Sequence, residues 1–245
     1  MQKRCFYCPE LSLSPVSLSE EESSHILRVL RFQAGAVLLL TDGRGTLAEA
    51  ELLPSSQGTK SRIAVCKILK KNFTARRTAG RVHLFVAPPK GKKFDLILKF
   101  ATELGVSSIT PIYCEYGVVD SSGKKDNFEQ AVKTAGKQCY NPWFPKVTQT
   151  LKLGDALKAP STPLDGCFGG TPSHLMAPVK KRECCCVPAD YAVWIGPEGG
   201  FSPEEENLLL EKGYSPVTIG RYTLRVETAV PAILGYLEAK WKEMI

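Results

Sequence analysis

The sequence predicts an α/β protein in two parts, a small all-β segment followed by a larger domain built on a parallel sheet. Three observations carry that expectation. Short strand patterns separated by turn signals crowd the first 72 residues. From residue 81 onward, apolar strands alternate with helical patterns, as in strand–helix–strand units. Two of the later strands end in glycine-containing turns that lead into helices.

In the first part, Ser23 and Ser24 are placed to cap a helix carrying His25, Leu27, Val29 and Leu30. Strands are predicted at Val37–Thr41, 47–53 and 62–69, divided by Asp42-Gly43-Arg44-Gly45 and Pro54-Ser55-Ser56-Gln57-Gly58. Strands this short, with turns this dense, predict a small barrel over residues 1–72. The polar stretch KKNFTARRTAG (70–80) reads as a connection, with the linker proper at 73–80. VHLFVA (82–87) is then a continuous apolar strand, and PPKGKK a loop. Phe94, Leu98, Ala101 and Leu104 recur at helical spacing until Gly105, and VSSITPIYC returns as a strand. A helix at 128–138 and strands at 146–149, 164–168, 191–195 and 217–219 complete the alternation across 81–245. In the final helix Val230, Ile233, Leu234, Leu237 and Trp241 share a face. Pro231 is expected in its first turn, where a missing N–H costs nothing.

The bulk composition narrows the class. With 245 residues, 43% hydrophobic and 23% charged, the chain has the make-up of a soluble globular protein. It contains no run of eighteen apolar residues, so no membrane span is expected. The stretch MQKRCFYCPELSLSP lacks the apolar core of a secretory signal, which makes a cytoplasmic location the expectation. Residues 1–80 hold 12 Lys and Arg against 7 Asp and Glu, and the remainder 20 against 18. A basic first third suits a polyanionic partner or a plain solvated surface. The nine cysteines include a lone C-x-x-C at Cys5 and Cys8 and a run at Cys184, Cys185 and Cys186. His25, His83 and His174 do not complete a second ligand pair, so reduced thiols and no metal are expected.

The stretch YAVWIGPEGGFSPEEE (191–206) raises the functional question. Tyr191 to Ile195 is too apolar for a surface loop, and Ser202, Pro203 and Glu205 open a helix with a capping box that Gly213 ends. Between them, Gly196-Pro197-Glu198-Gly199-Gly200 is either a tight connection or a place where a ligand meets bare backbone beyond the carboxyl end of a strand. It has neither the Lys-Ser/Thr of a phosphate-binding loop nor dinucleotide spacing. A second exit, IGRYTLRVETAVPAI (219–233), leaves a strand through Gly220 and sets Arg225 and Glu227 just before the last helix. Two such exits suggest one shared pocket.

G-P-E-G-G-F-S-x-x-E followed by I-G-x-x-x-L-R-x-E-T-A resembles the ribosomal RNA small subunit methyltransferase E family. KGKKFDLILKFATELGVSSITP (90–111) is similar to its K-G helix, and SHILRVLRFQAG (24–35) to its N-terminal H-x-x-x-V-L-R element. The resemblance runs in order along nearly the whole chain. It implies a PUA-like β-barrel that grips RNA, followed by a SPOUT-type α/β domain whose last segments form a trefoil knot around S-adenosylmethionine (SAM). It also implies a homodimer and methylation of uridine N3 in 16S rRNA of the small ribosomal subunit.

Carried onto this chain, the resemblance assigns cofactor binding to Phe168, Gly169, Gly170 and Thr171, then to Ile195, Gly196, Pro197, Glu198, Gly199 and Gly200, and finally to Ile219, Gly220, Leu224 and Arg225. Arg225 would stabilise the uridine anion, and Glu227 would orient Arg225, accept the proton or cap the last helix. Arg28 and Arg31, on one helical face, and Lys90, Lys92 and Lys93 are candidate RNA contacts. His25 is expected to pack or cap. Asn141 stands where the family has an arginine, Arg221 is displaced by one place, Val226 replaces a threonine, and 173–190 is atypical. Two alternatives keep the fold: another RNA target such as a ribose 2′-O, or a non-catalytic RNA-binding assembly factor. The retained glycines at 196, 199 and 200 count against the last.

Overall fold

The computed structural model describes residues 3–54, 63–76, 81–90, 93–117, 125–159, 162–163, 166–169 and 190–242. The chain divides into two compact units, 1–76 with 133–144, and 77–132 with 145–245.

The first unit is a five-stranded sheet. Strands β1 (Cys5–Tyr7), β2 (Val16–Ser17), β3 (Val37–Thr41), β4 (Thr46–Leu52) and β5 (Val65–Phe73) lie in the order β1-β3-β4-β5-β2. β1 runs parallel to β3 and the other pairs are antiparallel. β1 and β2 go unrecognised in the sequence because three and two residues are too few to show alternation. Phe6, Ile26, Leu38, Leu40, Ala48 and Cys66 fill the core. β5 carries the ladder through Phe73, pairing Lys70 with Glu49 and Phe73 with Thr46. Residues 70–73, which read as the edge of a linker, are therefore strand; Lys70, Lys71 and Asn72 are polar and Phe73 is apolar, and all four are exposed.

The first helix also differs from expectation. α1 (Glu20–Ser24) is capped by Ser19, whose Oγ accepts the Glu22 N–H at 3.2 Å. Ser23 is buried instead, accepting the Ala64 N–H at 2.9 Å. A π-helical turn, His25–Val29, follows, with Leu30 N–H donating to the His25 carbonyl at 2.9 Å. Arg31 then takes φ 53° and ends the helix. Arg28 and Arg31 consequently do not share an α-helical face, because the wider turn and the left-handed residue break the spacing. Both are exposed. His25 sets its ring edge to face with Phe6 at 5.9 Å, the packing role expected of it.

The second unit is a seven-stranded parallel sheet. It comprises β6 (Arg81–Val86), β7 (Ser108–Tyr113), β8 (Lys146–Val147), β9 (Leu151–Lys152), β10 (Gly166–Gly169), β11 (Asp190–Ile195) and β12 (Ser215–Pro216). The order is β12-β10-β11-β6-β7-β8, with β9 also beside β7. Arg81 grips Asp190 through Nε at 2.6 Å and Nη2 at 2.8 Å, clamping the amino ends of β6 and β11. The helices are α2 (Phe94–Glu103), α3 (Lys125–Cys139), α4 (Leu153–Lys158), α5 (Pro203–Glu211) and α6 (Val226–Lys242). The last turns of α3 belong to the first unit.

Two expectations near the C-terminus are corrected. Residues 217–219 are not strand; the ladder is only Ser215–Pro216. α6 begins earlier than expected, with the Arg225 carbonyl accepting Thr228 N–H at 2.9 Å and Ala229 N–H at 2.8 Å. Glu227 thus lies inside the helix, and Pro231 falls in its interior, where the Glu227 carbonyl receives no proline N–H. No described helix is long and apolar enough to cross a membrane.

The capping box of α5 is present in full, Ser202 Oγ accepting from Glu205 N–H and Glu205 Oε2 accepting from Ser202 N–H. Ser202→Ala should lower stability by about 1 kcal/mol. Denaturant unfolding of the two proteins measures it, and an unchanged midpoint would remove the cap from the account of this helix.

Candidate active site

β10 and β11 end side by side, Gly169 in register with Ile195. Gly196 N–H donates to the Gly169 carbonyl at 3.1 Å, Ala87 N–H to Ile195 at 2.9 Å, and Val217 N–H to Phe168 at 2.8 Å. Several strand exits therefore converge on one edge of the sheet, the carboxyl edge, where open parallel sheets bind ligands.

The turn after β11 is closed by Gly200 N–H to the Pro197 carbonyl at 2.9 Å, with Gly200 at φ 80°. A Cβ on Gly199 would stand 2.9 Å from Cβ of Tyr116. Turn geometry and packing thus account for both glycines, and their retention does not by itself separate an active pocket from an inactive one. Pro197 is buried, and Glu198 is exposed to solvent.

Between these exits and α6 lies a cleft of about 620 Å³, counting its open mouth. Gly169, Ile195, Ile219 and Leu224, four of the residues to which the resemblance assigns cofactor binding, line it. Val193, Val217, Thr218, Tyr222 and Thr223 also line it, together with Ala229 and Ile233 from α6. Ile233 was expected on the packing face of the last helix, and neither it nor Ala229, four residues before it, was expected in a pocket wall. Phe168 is not among the lining side chains. It is fully buried and packs edge to face with Phe201 at 6.1 Å. Gly196 to Gly200 and Gly220 adjoin the cleft in sequence without lining it. Gly170, Thr171 and Lys92 lie outside the described residues, as does 173–189 with Cys184, Cys185 and Cys186.

Among the described residues the walls carry no ionisable group other than the exposed Tyr222 phenol, and their polar edges come from main chain, Thr218 and Thr223. Trp194, also in the wall, keeps its Nε1–H buried without a hydrogen-bond partner. Such a cleft suits a flat heteroaromatic group held by its faces and satisfied at its edges by backbone.

The charged groups sit at the start of α6. Lys93 Nζ meets Glu227 Oε1 at 2.9 Å, and the second carboxylate oxygen is buried without a partner. The hydrogen bond from Lys93, aided by the Glu227 backbone N–H, holds the Glu227 carboxyl below the usual range, and the nearby Lys93 and Arg225 charges add to it. Arg225 follows Leu224 directly and is exposed. Lys90 is exposed as well.

The six described cysteines are free thiols. Burial pushes Cys5 and Cys167 up to about 12 and Cys66 up to about 11, so none of these three is a thiolate at neutral pH. Among the described residues, no group of three or more His, Cys, Asp and Glu is placed to hold a metal ion.

Parallel-sheet exits around an apolar cleft, preceded by a small β unit, define a class that known proteins identify. Residues 76–238 match the model of the RNA methyltransferase domain, and residues 18–56 that of the RNA methyltransferase PUA domain. Ribosomal RNA small subunit methyltransferase E of Synechocystis is 28% identical over 98% of this chain and 78% of its own. The enzyme of that name from Aquifex aeolicus is 33% identical over 60% of this chain and 62% of its own. The structure of ribosomal RNA small subunit methyltransferase E from Neisseria gonorrhoeae, bound to S-adenosyl methionine, is 27% identical with a TM-score of 0.83, covering 98% of both chains. A Legionella pneumophila methyltransferase solved with SAM is 26% identical with a TM-score of 0.84, again over 98% of both. The chain belongs to the ribosomal RNA small subunit methyltransferase E family of RNA methyltransferases.

Because the folded-state pKa of Glu227 is depressed, its ion pair stabilises the fold fully above the ordinary glutamate value of 4.5 and is lost as pH falls through the lowered folded value. Thermal melts of wild type and Glu227→Gln should therefore differ most above that value and converge on acidification. Parallel curves down to pH 3 would rule the linkage out.

Proposed function

We propose that this protein transfers the methyl group of SAM to N3 of a uridine in 16S rRNA of the small ribosomal subunit. The observation that carries the reading is the apolar cleft at the ends of β10 and β11, whose wall residue Leu224 runs directly into Arg225 and the Lys93–Glu227 pair. Family membership and the names of the relatives supply the substrate class.

Bound in the cleft, SAM supplies an electrophilic methyl on its sulfonium sulfur. The chain's part is to bind, align and polarise. Gly169, Ile195, Ile219 and Leu224 pack the adenosine, and the open backbone around them meets its polar edges. Uridine N3 must lose a weakly acidic proton, which passes to solvent water, and the Arg225 guanidinium donates to the carbonyl oxygens flanking N3, spreading the resulting charge. Glu227, ionised and tied to Lys93, orients these two cations. A carboxylate with a depressed pKa is a poor proton acceptor, which favours orientation over base catalysis for Glu227.

The first unit acts as the RNA grip, with Arg28 and Arg31 among its phosphate contacts, and Lys90 of the second unit is a further phosphate contact. Its five strands are the staves of a PUA-like barrel, although no β1–β2 pair closes the sheet among the described residues. A trefoil knot and a homodimer complete the reading. Support for the knot is the parallel order β12-β10-β11 at the carboxyl-terminal side of the sheet. A cytoplasmic location follows from the substrate.

Labelled SAM, small subunits lacking their native methylations, and nucleoside mass spectrometry test the reaction. 3-Methyluridine is the expected product, and another methylated nucleoside would overturn the target. Arg225→Ala should cut the rate of transfer roughly 100- to 1,000-fold. A rate equal to wild type would remove Arg225 from the chemistry.

A further inference from the structure

The stretch KNFTARR, read from sequence as the edge of a linker, ends β5 with an aromatic ring left in solvent. Phe73 is 69% exposed, although β5 pairs it with Thr46. An isolated exposed phenylalanine means little. This one belongs to a built cluster within the first unit. Its ring meets Trp143 edge to face, with centroids 6.3 Å apart. Both rings rest on the bare backbone of Gly45, at φ 110°, where a Cβ would come within 2.6 Å of Trp143 Cζ2 and 2.8 Å of Phe73 Cε2.

Main-chain bonds hold the rings in place before any partner arrives. Trp143 Nε1–H donates to the Thr74 carbonyl at 2.9 Å, Thr74 N–H to Gly45 at 2.8 Å, and Gly45 N–H to Pro142 at 2.7 Å. Asp42 Oδ1 accepts Arg44 N–H at 2.7 Å and Thr46 N–H at 3.0 Å, fixing the loop. Asn141, the residue that departs from the family's arginine, accepts Trp143 N–H on Oδ1 at 2.9 Å. The Arg76 guanidinium lies over Trp143, 5.4 Å from the ring centroid. Trp143 is thus occupied, and Phe73 is the open ring.

The immediate surroundings are cationic: Arg76 lies over Trp143, Arg44 adjoins Gly45 in the loop, and Lys71 stands two residues before Phe73 on β5, all three exposed. The nearby acids are engaged: Asp42 serves the loop, and Glu49 pairs with Lys3 at 2.9 Å. An open ring flanked by Lys and Arg matches unpaired nucleotides, whose bases stack on aromatic faces while their phosphates meet the cations. We propose that Phe73, buttressed by Trp143 and Arg76, is a stacking platform for an unpaired base of the RNA substrate. The proposal rests on the RNA-methylating reading above and adds to it a recognition residue outside the methyl-transfer site.

Equilibrium binding of the full-length protein to a labelled single-stranded oligoribonucleotide tests it, with salt varied. Phe73→Ala should weaken binding roughly 5- to 100-fold at every salt concentration, without changing the slope of log Kd against log salt, because no charge is removed. Phe73→Leu, which keeps apolar bulk but has no ring, should lose affinity too, whereas Phe73→Tyr should retain it. Arg76→Ala should reduce the salt slope by about 0.7. Affinity for SAM should stay at the wild-type value in all four variants. Wild-type RNA affinity in Phe73→Ala or Phe73→Leu would overturn the platform, as would a change in sedimentation showing that the ring contacts a second copy. Failure of the wild-type protein to make 3-methyluridine would sink the proposed reaction and leave these affinity ratios readable.

Discussion

The carboxyl edge of the parallel sheet hangs on a few main-chain hydrogen bonds that tie strand ends together. Gly196 N–H to the Gly169 carbonyl and Val217 N–H to Phe168 hold the exits of β11, β10 and β12 abreast. Each bond is an ordinary ladder rung, worth about 1 kcal/mol net. Their consequence is geometric. Chain segments far apart in sequence leave the sheet at one place, so a cleft exists between them without any side chain having to build it. Side chains then set its character, apolar along Ile195, Ile219 and Leu224, while the charged residues Arg225, Glu227 and Lys93 stand at the head of α6, just past Leu224.

Much of this was legible in the sequence where local rules operate alone. Val37–Thr41 matches in full, α2 ends at Leu104 and Gly105 as its spacing required, and the capping box at Ser202 is present. These elements follow from alternation, helical period and caps, each set by a handful of neighbouring residues. Reading failed where long-range contact decides. Ser23 looked like a cap, but Ala64, forty-one residues away, claims its hydroxyl. Lys70 to Phe73 looked like linker because they open a mostly polar stretch, yet β4 pairs with them. The wall residues Val193, Thr218, Ala229 and Ile233 carry no chemical signal of their own and are united only by the fold.

The glycine-rich turn shows the limit of motif reasoning in another way. Its composition drew attention to the edge of the sheet that carries the cleft, although Gly199 and Gly200 are explained by Tyr116 and by a left-handed φ. Phe168 likewise turned out to be core. Residues that mark a site in sequence need not be those that touch its occupant. The family signature is partly a signature of the turn that places the site.

The discontinuity of the first unit bears on how the chain is made. Residues 133–144 belong with 1–76, and they bring the Phe144 ring against Gly43 and Gly136 and Trp143 against Gly45. During synthesis from the amino end, those rings leave the ribosome only after β6, α2 and β7 have done so. The first unit therefore cannot finish folding in the order in which it is read. It waits, with the bare backbone of its loop exposed, until an interval of the second unit has already emerged. Domains usually fold as units in order of emergence. Here the order of completion is interleaved, and the two units mature as one schedule.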